Sequence, residues 1–183
     1  MAKVRFGMTM SLDGFIHDRS GSVSRLYSDF ETLRESESLQ DSIRTTGAVV
    51  MGRRAYDMGQ GDFTDYEFQT PIFVLTHHVP SQPAKGENDN LSFTFVTDGI
   101  ESAIEKAKAA AGDKYVTVVG GAATGQQLIQ AGLVDELEID IMPVLLCGGL
   151  RLFEHLGVDP IDLEKIDVIE NGARTGLRFR VLR

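Results

Sequence analysis

A β-branched run that breaks into paired glycines and then into an amphipathic segment leaves the chain few ways to fold, and residues 115–129 are such a run. Residues 116–119 are apolar except for Thr117, which suits a short strand covered on both faces. Gly120 and Gly121 strip the turn of side chains, and Leu128, Ile129 and Leu133 give the following helix an apolar side. A helix that begins just beyond a strand end directs free N–H groups and a partial positive charge into the space there. Bare backbone at that point suits a phosphate. It suits a tight turn or close helix packing equally well, because the spacing is not that of the dinucleotide fingerprint G-x-G-x-x-G.

The pattern occurs a second time. Residues 48–51 form a short apolar run, followed directly by Gly52-Arg53-Arg54-Ala55-Tyr56. Two guanidinium groups at a helix start oppose the macrodipole, so they ask for a reason. One is an anion lying between them; the other is pairing with Asp57, Asp62 or Asp65.

Around these two units the chain reads as strands and helices in alternation. Residues 4–12 form a first strand that ends in Ser11-Leu12-Asp13-Gly14-Phe15-Ile16, where the Asp-Gly pair suits a turn. Ser28 or Asp29 caps a helix with Glu31 in its first turn and Phe30, Leu33, Leu39 and Ile43 along it, running to about Thr45. A third strand, 71–75, ends at Thr76-His77-His78; residues 79–90 are a surface excursion and 91–96 a fourth strand. Thr97 or Asp98 caps a helix carrying Ile100, Ile104, Ala107 and Ala111, and Gly112 closes it. Residues 134–142 alternate, with Leu137, Ile139 and Ile141 against Glu138 and Asp140, which predicts an outer or antiparallel strand with one solvated face. Strands at 162–170 and 175–182 flank an Asn171-Gly172 turn. The order predicts an α/β fold with a mostly parallel sheet, helices on both faces and antiparallel C-terminal strands. Ligands of such sheets sit outside the carboxyl ends of the strands, so Asp13-Gly14, Gly52-Arg53, Thr76-His77 and Gly120-Gly121 should line one crevice.

Composition narrows the partners. The 183 residues suit one domain, 1–183, and a net charge of -9 gives no global field to attract nucleic acid or an anionic membrane. A lone cysteine, Cys147, excludes an internal disulfide and fits a reducing compartment. No Cys/His cluster suggests a metal, no segment reads as a signal peptide, and the longest apolar patch, near 141–146, is too short to span a bilayer. A cytoplasmic protein with a small-molecule substrate is the expectation.

Four stretches together resemble the dihydrofolate reductase superfamily and, more narrowly, the C-terminal reductase domain of the bacterial bifunctional riboflavin deaminase-reductase. They are Ser11-Leu12-Asp13-Gly14-Phe15-Ile16; Val49-Val50-Met51-Gly52-Arg53-Arg54-Ala55-Tyr56; Val118-Val119-Gly120-Gly121; and Gly132-Leu133-Val134-Asp135-Glu136-Leu137 with Pro143-Val144-Leu145-Leu146. The resemblance implies a three-layer α/β/α fold and NADPH as cofactor. It implies that Gly52, Arg53 and Arg54 hold phosphates at the adenosine end, and that Thr76 and His77 help hold the 2′-phosphate. Gly120, Gly121, Ala122, Ala123 and Thr124 would take the pyrophosphate, with Gly14, Phe15 and Ile16 near the nicotinamide. Two residues depart from the family's habit: Ala55 stands where threonine is common, and Cys147 where glycine is common.

The implied activity is NADPH-dependent hydride transfer to a small heterocycle of the pterin or riboflavin-precursor pyrimidine type. The chain has no room for the deaminase and no zinc motif, so a stand-alone reductase is implied. In dihydrofolate reductases a carboxylate on the first helix binds the pterin, which makes Asp29 and Glu31 candidates; Asp13 lies beside the implied nicotinamide position. All three also read as structural, two as helix-start acids and one as a turn residue. The alternative is a non-catalytic nucleotide- or protein-binding module on the same fold. Family members are often dimers, so a homodimer is expected.

Overall fold

The computed structural model describes residues 1–82 and 84–182. Among the described residues, ten strands and five α-helices follow one another: β1 (Val4–Ser11), β2 (Phe15–His17), α1 (Phe30–Arg34), α2 (Glu37–Thr45), β3 (Thr46–Gly52), α3 (Arg53–Met58), β4 (Ile72–Leu75), β5 (Phe93–Val96), α4 (Ile100–Ala111), β6 (Tyr115–Val119), α5 (Ala122–Gln130), β7 (Glu136–Met142), β8 (Leu150–Arg151), β9 (Leu163–Asn171) and β10 (Arg174–Val181). Eight strands form one sheet in the order β5-β4-β3-β6-β1-β7-β10-β9, parallel from β5 to β7 and antiparallel at β10 and β9. This is the α/β architecture expected from the sequence. The parallel pairing sets the carboxyl ends of β1, β3, β4 and β6 along one edge.

Alternation along each strand divides the core. Val4, Phe6, Val50, Val116, Val118, Leu137 and Ile139 face α4 and α5 in one buried cluster. Val49, Met51, Ile72 and Val74 face the other way and pack under Tyr56, Phe63, Phe68 and Leu91. That second cluster covers the β3–β4 half of its face. On the β1–β7–β10 half, the same face presents Arg5, Gly7, Thr9, Glu138, Asp140 and Gly176 to a cavity of about 890 Å³.

Three expectations are corrected. The single helix expected up to Thr45 is two, because Ser36 takes an extended backbone (φ -69°, ψ 143°) and its hydroxyl accepts from Leu39 N at 3.2 Å as the cap of α2. Serine offers the backbone this alternative to helical pairing. The α4 cap is Gly99 rather than Thr97 or Asp98; the Asp98 carboxylate instead accepts from Ser102 Oγ at 2.8 Å. Strand β7 is not an outer strand with a solvated face: it lies inside the sheet, parallel to β1 and, as the other alternative had it, antiparallel to β10. Its polar face meets the cavity, where Arg5, Arg174 and Arg178 pair with its carboxylates.

One buried cation ties the cavity together. The Arg174 side chain is 1% exposed and donates from Nε and Nη2 to both oxygens of Asp29 at 2.9 and 2.6 Å. From Nη1 it donates to Asp140 Oδ2 at 2.9 Å and Thr9 Oγ1 at 3.2 Å, and from Nη2 to Leu26 O at 3.3 Å. It thereby pins the segment before α1 onto β1, β7 and β10. The Arg174 hydrogen bonds hold the Asp29 carboxyl below its ordinary value of 3.8.

Two outcomes follow for stability. Gly125 lies where a β-carbon would run into the buried ring of Phe6. Gly125→Ala should therefore lower the urea-unfolding free energy by about 1–3 kcal/mol despite alanine's better helix propensity. Arg174→Met should cost about 3–5 kcal/mol at neutral pH by leaving Asp29 and Asp140 uncompensated. A depressed carboxylate pKa contributes stability above its unfolded value and loses it as pH falls through the native one. The gap between wild type and Arg174→Met should accordingly narrow as pH drops below 3.8 in acid titrations of unfolding.

Candidate functional site

The two glycine–helix units meet as neighbours, since β3 and β6 pair side by side. A β-carbon on Gly52 would stand 2.5 Å from Thr124 Oγ1, and one on Gly120 would stand 2.5 Å from Ala55 Cβ. Each glycine thus admits a side chain from the helix that follows the other strand. Gly120 and Gly121 also take φ of 78° and 83°, the left-handed region that favours glycine. Close packing accounts for Gly52 and Gly120. Gly121 differs: its nearest neighbour would be Thr124 Oγ1 at 3.5 Å, an ordinary contact. Gly121 gives α5 no side-chain cap, so the first N–H groups, at Ala122, Ala123 and Thr124, lack intrahelical acceptors.

Beside this junction, Arg53 donates from Nε to Asp57 Oδ1 at 2.7 Å and from Nη1 to His78 O at 2.9 Å. Its Nη1 also reaches Thr76 Oγ1, at 3.5 Å, and Thr76 itself is buried and donates to His78 O at 2.9 Å. Arg53 therefore follows the pairing reading, with Asp57, and it also frames the β4 strand end. Arg54 and His77 are exposed. Neither makes a hydrogen bond or ion pair among the described residues. This donor set (uncapped N–H groups, an unpaired guanidinium and an exposed imidazole along one edge) fits a polyanion of nucleotide size.

At the end of β1, the Asp13 carboxylate accepts from Ser11 Oγ at 2.5 Å and from the backbone N–H of Leu146 at 3.1 Å and Cys147 at 2.8 Å. These bonds, the Ser11 hydroxyl foremost, keep its pKa low, and they fasten residues 143–149 against the β1 turn. Cys147 sits at φ 57°, in the left-handed region, which explains why glycine serves at that position in the resembled family. Gly14 has φ 87°, and Phe15 and Ile16 are buried on β2, which pairs with β8; Arg151 stacks 4.4 Å over the Phe15 ring. Asp29 has both oxygens on Arg174, and Glu31 is exposed on α1. Asp13 is thus committed to the loop at residues 146–147 and Asp29 to Arg174.

The cavity supplies what sequence reasoning missed. It runs along the sheet under α1, α2 and residues 59–68, and Ala55, Val119 and Gly120 bring it to the glycine junction. Tyr27 and Tyr66 line it, and burial raises the pKa of both hydroxyls. Glu67 is exposed at the rim, yet crowding by protein atoms raises its pKa as well. Glu138 and Asp140 form one wall. The alternation of β7 signalled them, but arginines on the flanking strands, not water, are what faces those carboxylates. Among the described residues no group of His, Cys, Asp and Glu could hold a metal ion, and no helix is long and apolar enough to cross a membrane.

Known proteins resemble this chain in sequence and in fold. The uncharacterized protein YyaP of Bacillus subtilis (strain 168) is 28% identical over 159 residues, covering 82% of this chain and 80% of its own. A Shewanella sp. PV-4 protein named for riboflavin biosynthesis superposes with a TM-score of 0.79 at 26% identity over the whole of both chains. The deaminase/5-amino-6-(5-phosphoribosylamino)uracil reductase of Thermotoga maritima superposes at 0.73 and 12% identity over 99% of this chain and 57% of that one. The dihydrofolate reductase of Enterococcus faecalis, complexed with NADP(H), superposes at 0.62 and 19% identity over 99% and 97%; at such identities the likeness speaks for the fold. The model of the RibD C-terminal domain matches residues 2–175, and the chain belongs to that family.

Proposed function

We propose that this protein is a cytoplasmic NADPH-dependent reductase that transfers hydride to a small heterocycle of the pterin or riboflavin-precursor pyrimidine type. The observation that carries this reading is the meeting of two glycine–helix junctions at adjacent parallel strand ends, next to the cavity along the sheet. The family and the reductases that share the fold support an oxidoreductase. In this reading the N–H groups of Ala122, Ala123 and Thr124, with Gly120 and Gly121, take the pyrophosphate. Gly52, Arg53 and Arg54 hold the adenosine-end phosphates, while Thr76 and His77 flank the 2′-phosphate. Gly14, Phe15 and Ile16 lie by the nicotinamide. The cofactor, when bound, supplies the hydride; the chain's part is to hold the ring against a substrate in the cavity and keep water out. Asp29 serves by orienting Arg174 and Asp140, and Asp13 by fixing the loop beside the nicotinamide. Glu31 gets no role.

We also propose a homodimer through the β9 edge. Leu163, Ile166 and Val168 expose 43%, 40% and 46% of their surface along that strand, whose outer edge pairs with no other strand among the described residues, and a free edge with exposed apolar residues is a ready template for a second copy.

Steady-state NADPH oxidation against a panel of pterins and aminopyrimidines tests the activity. Turnover with any member supports it, whereas bound NADPH with no turnover across the panel supports the non-catalytic module instead. Arg54→Ala should raise the NADPH dissociation constant about tenfold, the loss of one charge-assisted contact, with an unchanged melting temperature. An unaltered constant removes Arg54 from the site. Light scattering should give twice the 20.1 kDa chain mass, and Ile166→Lys should return it to one; a wild-type monomer contradicts the dimer.

A further inference from the structure

The cavity has features that choose among substrates, and the argument here rests on the reductase reading of the same site. Its floor lacks side chains at two places. Gly7 faces it from the middle of β1, where an added β-carbon would meet only Glu138 O and Val118 O, both at 3.9 Å. Gly176 faces it from β10, and Asp140 Oδ1 lies over that glycine, 3.0 Å from where a β-carbon would stand. A bare strip of sheet between Val119 on one flank and Glu138 on the other is a place for a flat ring.

The wall beside that strip is unusual. Glu138 gives Oε2 to Arg5 at 3.3 Å and to Arg178 at 3.3 Å, and Asp140 gives Oδ2 to Arg174 at 2.9 Å. Their other oxygens, Oε1 and Oδ1, accept no hydrogen bond among the described residues. Two residues apart on one face of a strand, the carboxylates stand roughly 6.5–7 Å apart along it, about the width of a substituted or bicyclic ring. Arginines pair with one oxygen of each, and the other oxygen is an acceptor that suits an N–H or O–H donor.

Charge completes the case. Three more carboxylates line the cavity's outer part, Asp62, Asp65 and Glu67. Two arginines line it in all. Arg34 at the rim faces Glu67, and Arg5 is 2% exposed, ion-paired to Glu138 and stacked 3.7 Å over the Tyr115 ring. The Arg5 Nε and Nη1 atoms are closed off from solvent, so although they lack hydrogen-bond partners they offer a phosphate no approach. With Glu138 and Asp140 neutralised by Arg5, Arg174 and Arg178, the outer part of the cavity still sets three carboxylates, Asp62, Asp65 and Glu67, against Arg34 alone, and that excess repels a dianion.

We propose that Gly7, Glu138 and Asp140 set the specificity of this cavity for a flat, unphosphorylated heterocycle, neutral or cationic, that turns amino or ring N–H donors toward β7. A phosphoribosylated pyrimidine is excluded. The reduction that this chain carries out would then act on a base or nucleoside after phosphate has been removed, or on a ring that never carried one.

The test is calorimetric titration, without cofactor, of 5-amino-6-(5-phosphoribosylamino)uracil and of its dephosphorylated form, each at low and high salt. The dephosphorylated compound should bind at least tenfold more tightly. Salt should narrow the difference by screening the repulsion. Gly7→Val should keep the melting temperature, since a β-branched residue suits a strand and the nearest atoms lie at 3.9 Å, yet abolish binding by filling the floor. Asp140→Asn should weaken it tenfold or more. Asp65→Lys with Glu67→Lys, both exposed, should rescue the phosphorylated compound. Equal or tighter binding of the phosphorylated form, binding of neither form, or full binding by Gly7→Val overturns the proposal. A parallel NADPH titration separates the two levels: if NADPH binds while the cavity result fails, the specificity is wrong and the reductase reading stands.

Discussion

The constraint on which the rest of this molecule depends is the interlock of two strand-to-helix junctions. Gly52 makes space for Thr124, and Gly120 makes space for Ala55. Because β3 and β6 are parallel neighbours, their helices leave the same sheet edge side by side and can close on each other only if the turns carry no side chains there. That closeness sets the uncapped start of α5 beside Arg53 and Arg54, and it brings the cavity mouth at Val119 and Gly120 up against the same spot. Packing and ligand approach are therefore two consequences of one geometry: Gly52 and Gly120 serve the packing, and Gly121 leaves the N–H groups open.

The second organising contact is Arg174. A buried guanidinium between Asp29 and Asp140 is costly to assemble and costlier to break, because the removal of one partner strands the others in a poor solvent for charge. Its work is to hold the chain before α1 over the sheet so that Tyr27 and Phe30 roof the cavity rather than fill it. The same logic turns Asp29 into a positioning group. Its two oxygens are occupied, while Asp140, with one oxygen occupied, is the carboxylate left facing the cavity.

Much of the fold was legible in the chain. Short apolar runs ending in glycine located β3 and β6, the helical spacing of Ile100, Ile104, Ala107 and Ala111 located α4, and Asn171-Gly172 located the terminal hairpin. What misled was local ambiguity. Ser36 lies in a helical pattern but spends its hydroxyl on a cap, and no periodicity reveals which choice a serine makes. The alternation of β7 was read as a solvated face, since period two reports only that two faces differ. That the polar face meets Arg5, Arg174 and Arg178 depends on strand neighbours far apart in sequence. The strand-end edge proposed for the cofactor was visible because its signals are local, in glycine and arginine at strand ends. The cavity was not, because Gly7, Glu138, Asp140 and Gly176 come from three strands that only the sheet order unites.

The central claim is that the strand-end edge is a dinucleotide site with a 2′-phosphate pocket. Fluorescence titration of the purified protein with NADPH, and with NADH in parallel, addresses it directly. The account predicts micromolar binding of NADPH and much weaker binding of NADH, because the proposed site sets Arg53, Arg54, Thr76 and His77 around the 2′-phosphate that only NADPH carries. Binding of neither would mean that the glycine junctions exist for packing alone, and equal binding of both would contradict the 2′-phosphate pocket.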